Sequence, residues 1–154
     1  MTSKTKSTAG QDAITLLMND HREVEKDFAE FERLSSGNNV KEKKALANHI
    51  GAELLKHMSV EEDIFYPALG RNSGSTEDMV NEGIVEHANA RHMISEISAM
   101  SGDEALFDTK VKVLNELVEH HVEEEETDMF PRLKNSFLDL EALGREMAAH
   151  KAHL

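Results

Sequence analysis

The stretch LLKHMSVEEDIFYPAL, residues 54–69, sets His57 four positions before Glu61 in a run whose apolar spacing is that of a buried helical face. An imidazole and a carboxylate on such a face must each find a partner or destabilise the fold. The arrangement returns near the other end of the chain. In LVEHHVEEEETDMFPRL, residues 117–133, His121 stands four before Glu125, and in both stretches a proline, Pro67 or Pro131, follows the glutamate by six. Residues four apart on a helix share a face with a rise of about 6 Å, so each pair can reach into one small volume.

Turn-rich stretches at 35–39 (SSGNN), 70–76 (GRNSGST) and 101–104 (SGDE) divide the chain into long segments. The first, from about Asp12 as N-cap to Leu34, carries Ile14, Leu17, His21, Val24, Phe28 and Phe31 at steps of three and four. The second, from about Val40 to Leu69, holds Ile50, Leu54, His57, Glu61 and Phe65 in one phase. The third opens at Ser75, with Asp78 completing a loose capping box, and shows Val80, Ile84, His87, Ile94 and Ile97. The fourth, from about Glu104 to Leu133, shows Leu114, Val118, His121, Glu125 and Met129. Each of these helices aims a histidine at the core. A last segment, 136–154, spaces Leu140, Leu143 and Met147 for a short helix, and residues 1–10 read as a flexible tail. Short connections favour antiparallel neighbours, so the expected fold is all-α: an antiparallel up-and-down four-helix bundle over 11–135 with a short C-terminal fifth helix.

Composition narrows the chemistry. With 154 residues the chain suits one ordinary domain, and with no cysteine it has neither disulfides nor thiolate ligands, so any metal must be held by nitrogen and oxygen. A net charge of −13 opposes binding to nucleic acid or to an anionic membrane. No apolar run approaches the ~18 residues of a membrane span, and no signal peptide is evident, which makes cytoplasmic residence the default expectation.

The spacing of the histidines repeats: His21 to His57 is 36 residues and His87 to His121 is 34, each a histidine helix, a loop and an HxxxE helix. Such a duplication predicts two equivalent half-sites about a pseudo-twofold axis. Four imidazoles and two carboxylates suffice for two metal ions, with the glutamates bridging ions roughly 3.5–4 Å apart. Mixed nitrogen and oxygen donors suit iron, with manganese or zinc as alternatives. The ferritin-like carboxylate bundle needs Glu-x-x-His, and none of the nine histidines has a glutamate three residues before it. His120 with Glu124 is a competing register, but its neighbours Val113 and Leu117 form a stripe out of phase with the first half of the repeat. Glu123, Glu124 and Glu126 read as a solvated acidic face, His49 as peripheral, and His150 and His153 as surface residues.

The pattern of His21, His57 with Glu61, His87, and His121 with Glu125, each HxxxE followed by an aromatic residue and proline, resembles the hemerythrin-like (HHE cation-binding) family. The resemblance spans about Asp12 to Leu133. It implies a four-helix bundle around a non-haem di-iron centre, with the four histidines as ligands and the two glutamates as bridges. It also implies dioxygen, nitric oxide or peroxide as the small ligand, in binding, in sensing or in redox stress. A di-iron enzyme reducing peroxide or nitric oxide, a ferroxidase and an iron-binding regulatory module are the alternatives, and a sensor would need a protein partner. One departure stands out. Oxygen carriers resembling this pattern have a fifth histidine four residues after the one on the third helix, where this chain has Arg91. Glu25, in the matching place after His21, is either a seventh ligand or a partner for Arg91, and the Tyr66 hydroxyl can reach an open metal position.

Overall fold

The computed structural model describes residues 11–70 and 76–154, and among them the chain is all helix. Helix α1 spans Ala13–Ser35 and opens on Asp12, whose carboxylate accepts the Thr15 N–H at 2.8 Å. Helix α2 runs over 40–70 in three parts: Val40–Val60, a π-helical turn at Glu61–Phe65, and a last α-helical turn at Tyr66–Gly70. Helix α3 is Glu77–Ala99. Helix α4, over 107–133, repeats the construction of α2, with a π-helical turn at Glu125–Met129 between Phe107–Glu124 and Phe130–Leu133. Helix α5 is Leu140–Lys151, capped by the Asp139 carboxylate on Ala142 N–H. Ser75, the expected cap of the third helix, and the tail expected over residues 1–10 lie outside the described residues.

Both π turns start at the glutamate of an HxxxE pair, and the prolines explain why. A proline ring clashes with the carbonyl four residues back in an α-helix; for Pro67 and Pro131 that carbonyl belongs to Asp63 and Thr127, each inside a π turn. The wider turn closes instead through Tyr66 N–H to Glu61 O and Phe130 N–H to Glu125 O, and so absorbs the proline without ending the helix.

The helices pack in a ring, α1 on α2, α2 on α3, α3 on α4 and α4 on α1, with α5 laid against α1 and α2. Side-chain pairs fix the directions. Asp20 meets His57 while Asp27 meets His49; Glu62 meets His87 while Lys44 reaches Ile97; Glu86 meets His121 while Glu96 meets Lys110. In each pair of helices one number rises as the other falls, so successive helices are antiparallel. No helix among the described residues is long and apolar enough to cross a membrane.

Among the described residues, apolar side chains form two separate clusters, one around Leu17, Phe65, Leu69, Phe130, Leu133 and Met147, the other around Phe28, Ile50, Leu54, Phe107 and Leu114. Two local expectations are corrected. Ile84 is 45% exposed, because the buried stripe of α3 passes through Gly83, where a Cβ would lie 2.7 Å from the Tyr66 hydroxyl oxygen. Glu104 does not open α4; its carboxylate accepts the N–H groups of Ser101 and Gly102 and closes the preceding turn.

Helix α5 docks so closely on the start of α1 that a Cβ on Gly144 would stand 2.6–2.8 Å from the backbone of Gln11, Asp12 and Ala13. Glycine to alanine inside a helix ordinarily stabilises by up to about 1 kcal/mol. Gly144→Ala should instead destabilise by about 1–3 kcal/mol, the usual cost of overpacking, as a drop in the thermal midpoint; an unchanged or raised midpoint would contradict this packing.

Candidate metal centre

Between the two apolar clusters lies one polar layer. His21, His57, His87, His121, Glu61 and Glu125 are each at most 9% exposed. The four imidazoles turn Nε2 inward. His21 Nε2 lies 3.2 Å from Glu125 Oε1 and His57 Nε2 lies 3.6 Å from Glu61 Oε2. Across the layer, His87 Nε2 lies 3.0 Å from Glu61 Oε1 and His121 Nε2 lies 3.1 Å from Glu125 Oε2. Each glutamate therefore presents one oxygen to the His21/His57 pair and the other to the His87/His121 pair.

Four buried atoms in this layer have no hydrogen-bond partner among the described residues: His21 Nε2, His57 Nε2, Glu61 Oε2 and Glu125 Oε1. All four belong to the same half, and together they are nitrogen and oxygen donors placed where they could hold a cation. Leaving such atoms unpaired in a protein interior costs roughly 1–3 kcal/mol each, more for charged groups, which a cation would offset. In the other half the Tyr66 hydroxyl donates to Glu125 Oε2 at 2.9 Å and stands 3.3 Å from Glu61 Oε1. Tyr66 stacks on His87, and Phe130, its counterpart before the second proline, stacks on His21.

The outward nitrogens are held as regularly. Nδ1 of His57 donates to Asp20 at 2.9 Å, that of His87 to Glu62 at 2.7 Å, that of His121 to Glu86 at 2.6 Å and that of His21 to Glu126 at 2.7 Å. Each carboxylate sits on the helix before its histidine in the ring, so the bonds run α1 to α2 to α3 to α4 and back to α1. Donation from Nδ1 leaves Nε2 as the lone-pair nitrogen, the form that binds metal. Three of these carboxylates also carry a cation: Lys151 on Asp20, Arg91 on Glu62 and Arg22 on Glu126. Glu86 is flanked instead by His120 and Glu124.

The electrostatics follow from burial and from these partners. Burial opposes charge on Glu61, but the charge of His57 and the hydrogen bonds to Glu125, His121 and His87 outweigh it and hold the carboxyl well below its usual range. Burial likewise opposes a charged His21 or His121, yet the surrounding carboxylates raise both, His121 well above the ordinary imidazole value. Burial and the charges of Glu61 and Glu125 push the Tyr66 hydroxyl far up, so it keeps its proton. Partial burial and the carboxylates of Glu86 and Glu82 push Glu124 up to about 7.

On the imidazole side the layer faces a cavity of about 290 Å3. The four histidines form its floor, Val24, Leu54, Met58, Ala90, Val118 and Val122 its walls, and Asp27, His49, Glu53 and Lys151 its rim.

The structure thus brings His21, His57, Glu61, His87, His121 and Glu125 together, and Tyr66 with them. It does not bring in Glu25, whose half-exposed carboxylate pairs with Arg22 at 3.0 Å, nor does Glu25 pair with Arg91, which reaches Glu62 at 2.7 Å. His120 is largely exposed, and His153 is exposed and bonded to its own helix. His150, expected at the surface, is partly covered, because its ring reaches Asp63 at 2.9 Å. Glu126, expected on a solvated face, is drawn inward by His21 and Arg22. The four outer carboxylates escaped sequence reasoning, although a signal was there: Asp20 and Glu86 each precede a histidine, and Glu62 and Glu126 each follow a glutamate, at matching places in the two halves.

Comparison with known proteins agrees with this geometry. Residues 12–133 match the hemerythrin HHE cation binding domain. The chain is 25% identical over 128 residues to a protein of Nostoc sp. (strain PCC 7120) named DNA nickase, a match covering 82% of this chain and 34% of that protein. It is 26% identical over 139 residues to an uncharacterized hemerythrin-like protein of Schizosaccharomyces pombe, covering 90% of this chain and 66% of that one. The chain therefore spans a third of the first relative and about two thirds of the second. Its fold is similar to the crystal structure of a hemerythrin HHE cation binding domain-containing protein from Mycobacterium kansasii, with a TM-score of 0.76 and 25% identity over 92% of this chain and 86% of that one. The matched residues take in all four buried histidines and both buried glutamates, and the chain belongs to the hemerythrin HHE cation-binding domain family.

Proposed function

We propose that His21, His57, His87 and His121 hold two iron ions bridged by Glu61 and Glu125, and that this redox-active centre binds or senses dioxygen, nitric oxide or peroxide. The observation that supports it is the division of each glutamate's two oxygens between the two imidazole pairs. Bound there, iron would supply one-electron redox chemistry and open coordination positions for a small ligand. The chain supplies the rest. Its carboxylates orient every imidazole, its aromatic rings close one side, and its cavity leads a small, weakly polar ligand to the imidazole face.

Tyr66 favours a second reading, turnover of peroxide or nitric oxide. A protonated hydroxyl 2.9 Å from Glu125 and 3.4 Å from His121 Nε2 can donate to a ligand in that half. Arg91 weighs against reversible oxygen carriage, since a non-coordinating cation bound to Glu62 takes the place of a further imidazole. Action on DNA, named for the Nostoc relative, is no part of the proposal: the chain spans a third of that protein, and a charge of −13 opposes a phosphate backbone.

Loaded anaerobically with ferrous iron, the protein should retain about two ions per chain, and His21→Ala or His87→Ala should retain about one, while Glu61→Ala or Glu125→Ala should lose most of both. A wild-type plateau at one ion or none would sink the proposal. Admitting air should oxidise the reduced protein, and purging with argon should not restore it. Repeated, reversible return to the reduced spectrum would instead make the protein a carrier.

Protons compete with metal for the same atoms. In metal-free protein the raised His21 and His121 contribute stability that is full below the usual imidazole value of 6.5 and is lost as pH rises through their raised values. The depressed Glu61, Glu62 and Glu126 contribute stability present above the usual 4.5 and lost as pH falls through their lowered values. The metal-free thermal midpoint should therefore peak between about 4.5 and 6.5. Metal requires unprotonated imidazoles, so the gap between loaded and metal-free midpoints should widen from pH 6 to pH 8. An equal gap at both would argue against imidazole ligation.

A further inference from the structure

We infer that Lys151, on α5 and beyond the residues that match the family, is a positioning residue for the His21/His57 half of the centre and acts through Asp20. This rests on the two-ion reading above and deepens it.

Lys151 Nζ donates to Asp20 Oδ1 at 2.7 Å, while Asp20 Oδ2 accepts from His57 Nδ1 at 2.9 Å. One carboxylate is thus held at both oxygens, from the surface by an ammonium and from the interior by an imidazole whose Nε2 has no hydrogen-bond partner. The lysine is delivered by a fixed element. Gly144 of the same helix lies against the backbone at the start of α1, and His150 reaches Asp63 in the π turn that carries Glu61. The other clamped carboxylates, Glu62 and Glu126, take their cations from the bundle itself, Arg91 on α3 and Arg22 on α1. Glu86, the repeat counterpart of Asp20, is flanked by Glu124 and, at 3.7 Å, by His120 in place of a lysine. The two halves therefore differ in how the outer carboxylate is held, and α5 makes the difference.

Two effects of removing Lys151 have opposite signs. A positive charge near a metal site repels the metal, so loss of charge alone would tighten binding, though screening by salt blunts this between partly exposed groups. Loss of orientation behind a ligand typically weakens binding 10–100-fold. Positioning predicts the second outcome, and only in one half.

Cobalt(II), added to the metal-free full chain and followed by visible absorption, tests this. Wild type should bind two ions. Lys151→Met should keep one at wild-type affinity and weaken the other about tenfold or more; Lys151→Arg should restore it. Asp20→Asn should weaken the same ion, and the double variant should be no worse than Asp20→Asn alone, the non-additivity expected of one chain of contacts. In His21→Ala, where only the His87/His121 half remains, Lys151→Met should change nothing. Wild-type binding of fewer than two ions would overturn the two-ion reading and this inference together. With two ions in wild type, unchanged or tighter binding in Lys151→Met, or equal weakening in the His21→Ala background, would overturn the inference alone.

Discussion

Six polar side chains buried in one layer between two apolar clusters set the terms for everything else in this molecule. None can remain unpaired without large cost, so the surrounding helices must deliver partners at fixed positions. The ring of four imidazole–carboxylate bonds does this. Because each bond joins neighbouring helices, sliding any one helix by a turn, about 5.4 Å, would break two bonds of the ring. Apolar packing tolerates such shifts better, since one aliphatic contact can replace another. The layer thus specifies register, and the apolar clusters on either side supply most of the stability.

The same layer carries an imbalance of charge. Glu61, Glu125, Asp20, Glu62, Glu86 and Glu126 are six carboxylates, and Lys151, Arg22 and Arg91 are three cations, so with neutral imidazoles the assembly stands at −3. Without metal, the molecule offsets this by raising His21 and His121 toward their charged forms. A protonated imidazole cannot ligate, so a cation bound here would have to replace those protons, and it would then satisfy the orphaned nitrogens and oxygens as well.

Much of this was legible before the fold was known, for definable reasons. Four in-phase histidines and two HxxxE pairs survive as a pattern because helical periodicity maps spacing onto a face. Asp12 was readable as a cap because capping is local in sequence. What escaped reading depends on contacts between distant segments. Ile84 and Gly83 are both compatible with the stripe of α3, and only the Tyr66 hydroxyl, delivered from α2, decides for glycine. Glu126 and Glu123 look alike in a run of four glutamates, and only the placement of His21 and Arg22 turns one of them inward. The π turns were hinted at by the prolines, but a proline near a helix end is ordinary, and its conjunction with a buried glutamate six residues earlier gains meaning only in three dimensions.

The duplication makes the two halves alike, and the departures from it make them unequal. Tyr66 and Phe130 occupy equivalent places before their prolines and stack on equivalent histidines, yet only Tyr66 has a hydroxyl to give. Asp20 and Glu86 orient equivalent histidines, yet one is clamped by a lysine and the other lies between His120 and a second carboxylate, Glu124. Both departures act in the same sense. The His21/His57 half combines orphaned donors with an aromatic wall and two clamped outer carboxylates, and on the two-ion reading it would hold its ion with an unchanging ligand set. The His87/His121 half combines a proton donor with a more anionic outer shell, since Arg91 holds Glu62 while Glu86 lies beside Glu124, and on the two-ion reading it would be the half where ligands and protons exchange. On the two-ion reading, one ion would then anchor the bridging glutamates while its neighbour met the incoming molecule, an asymmetry built from a single hydroxyl and a single lysine.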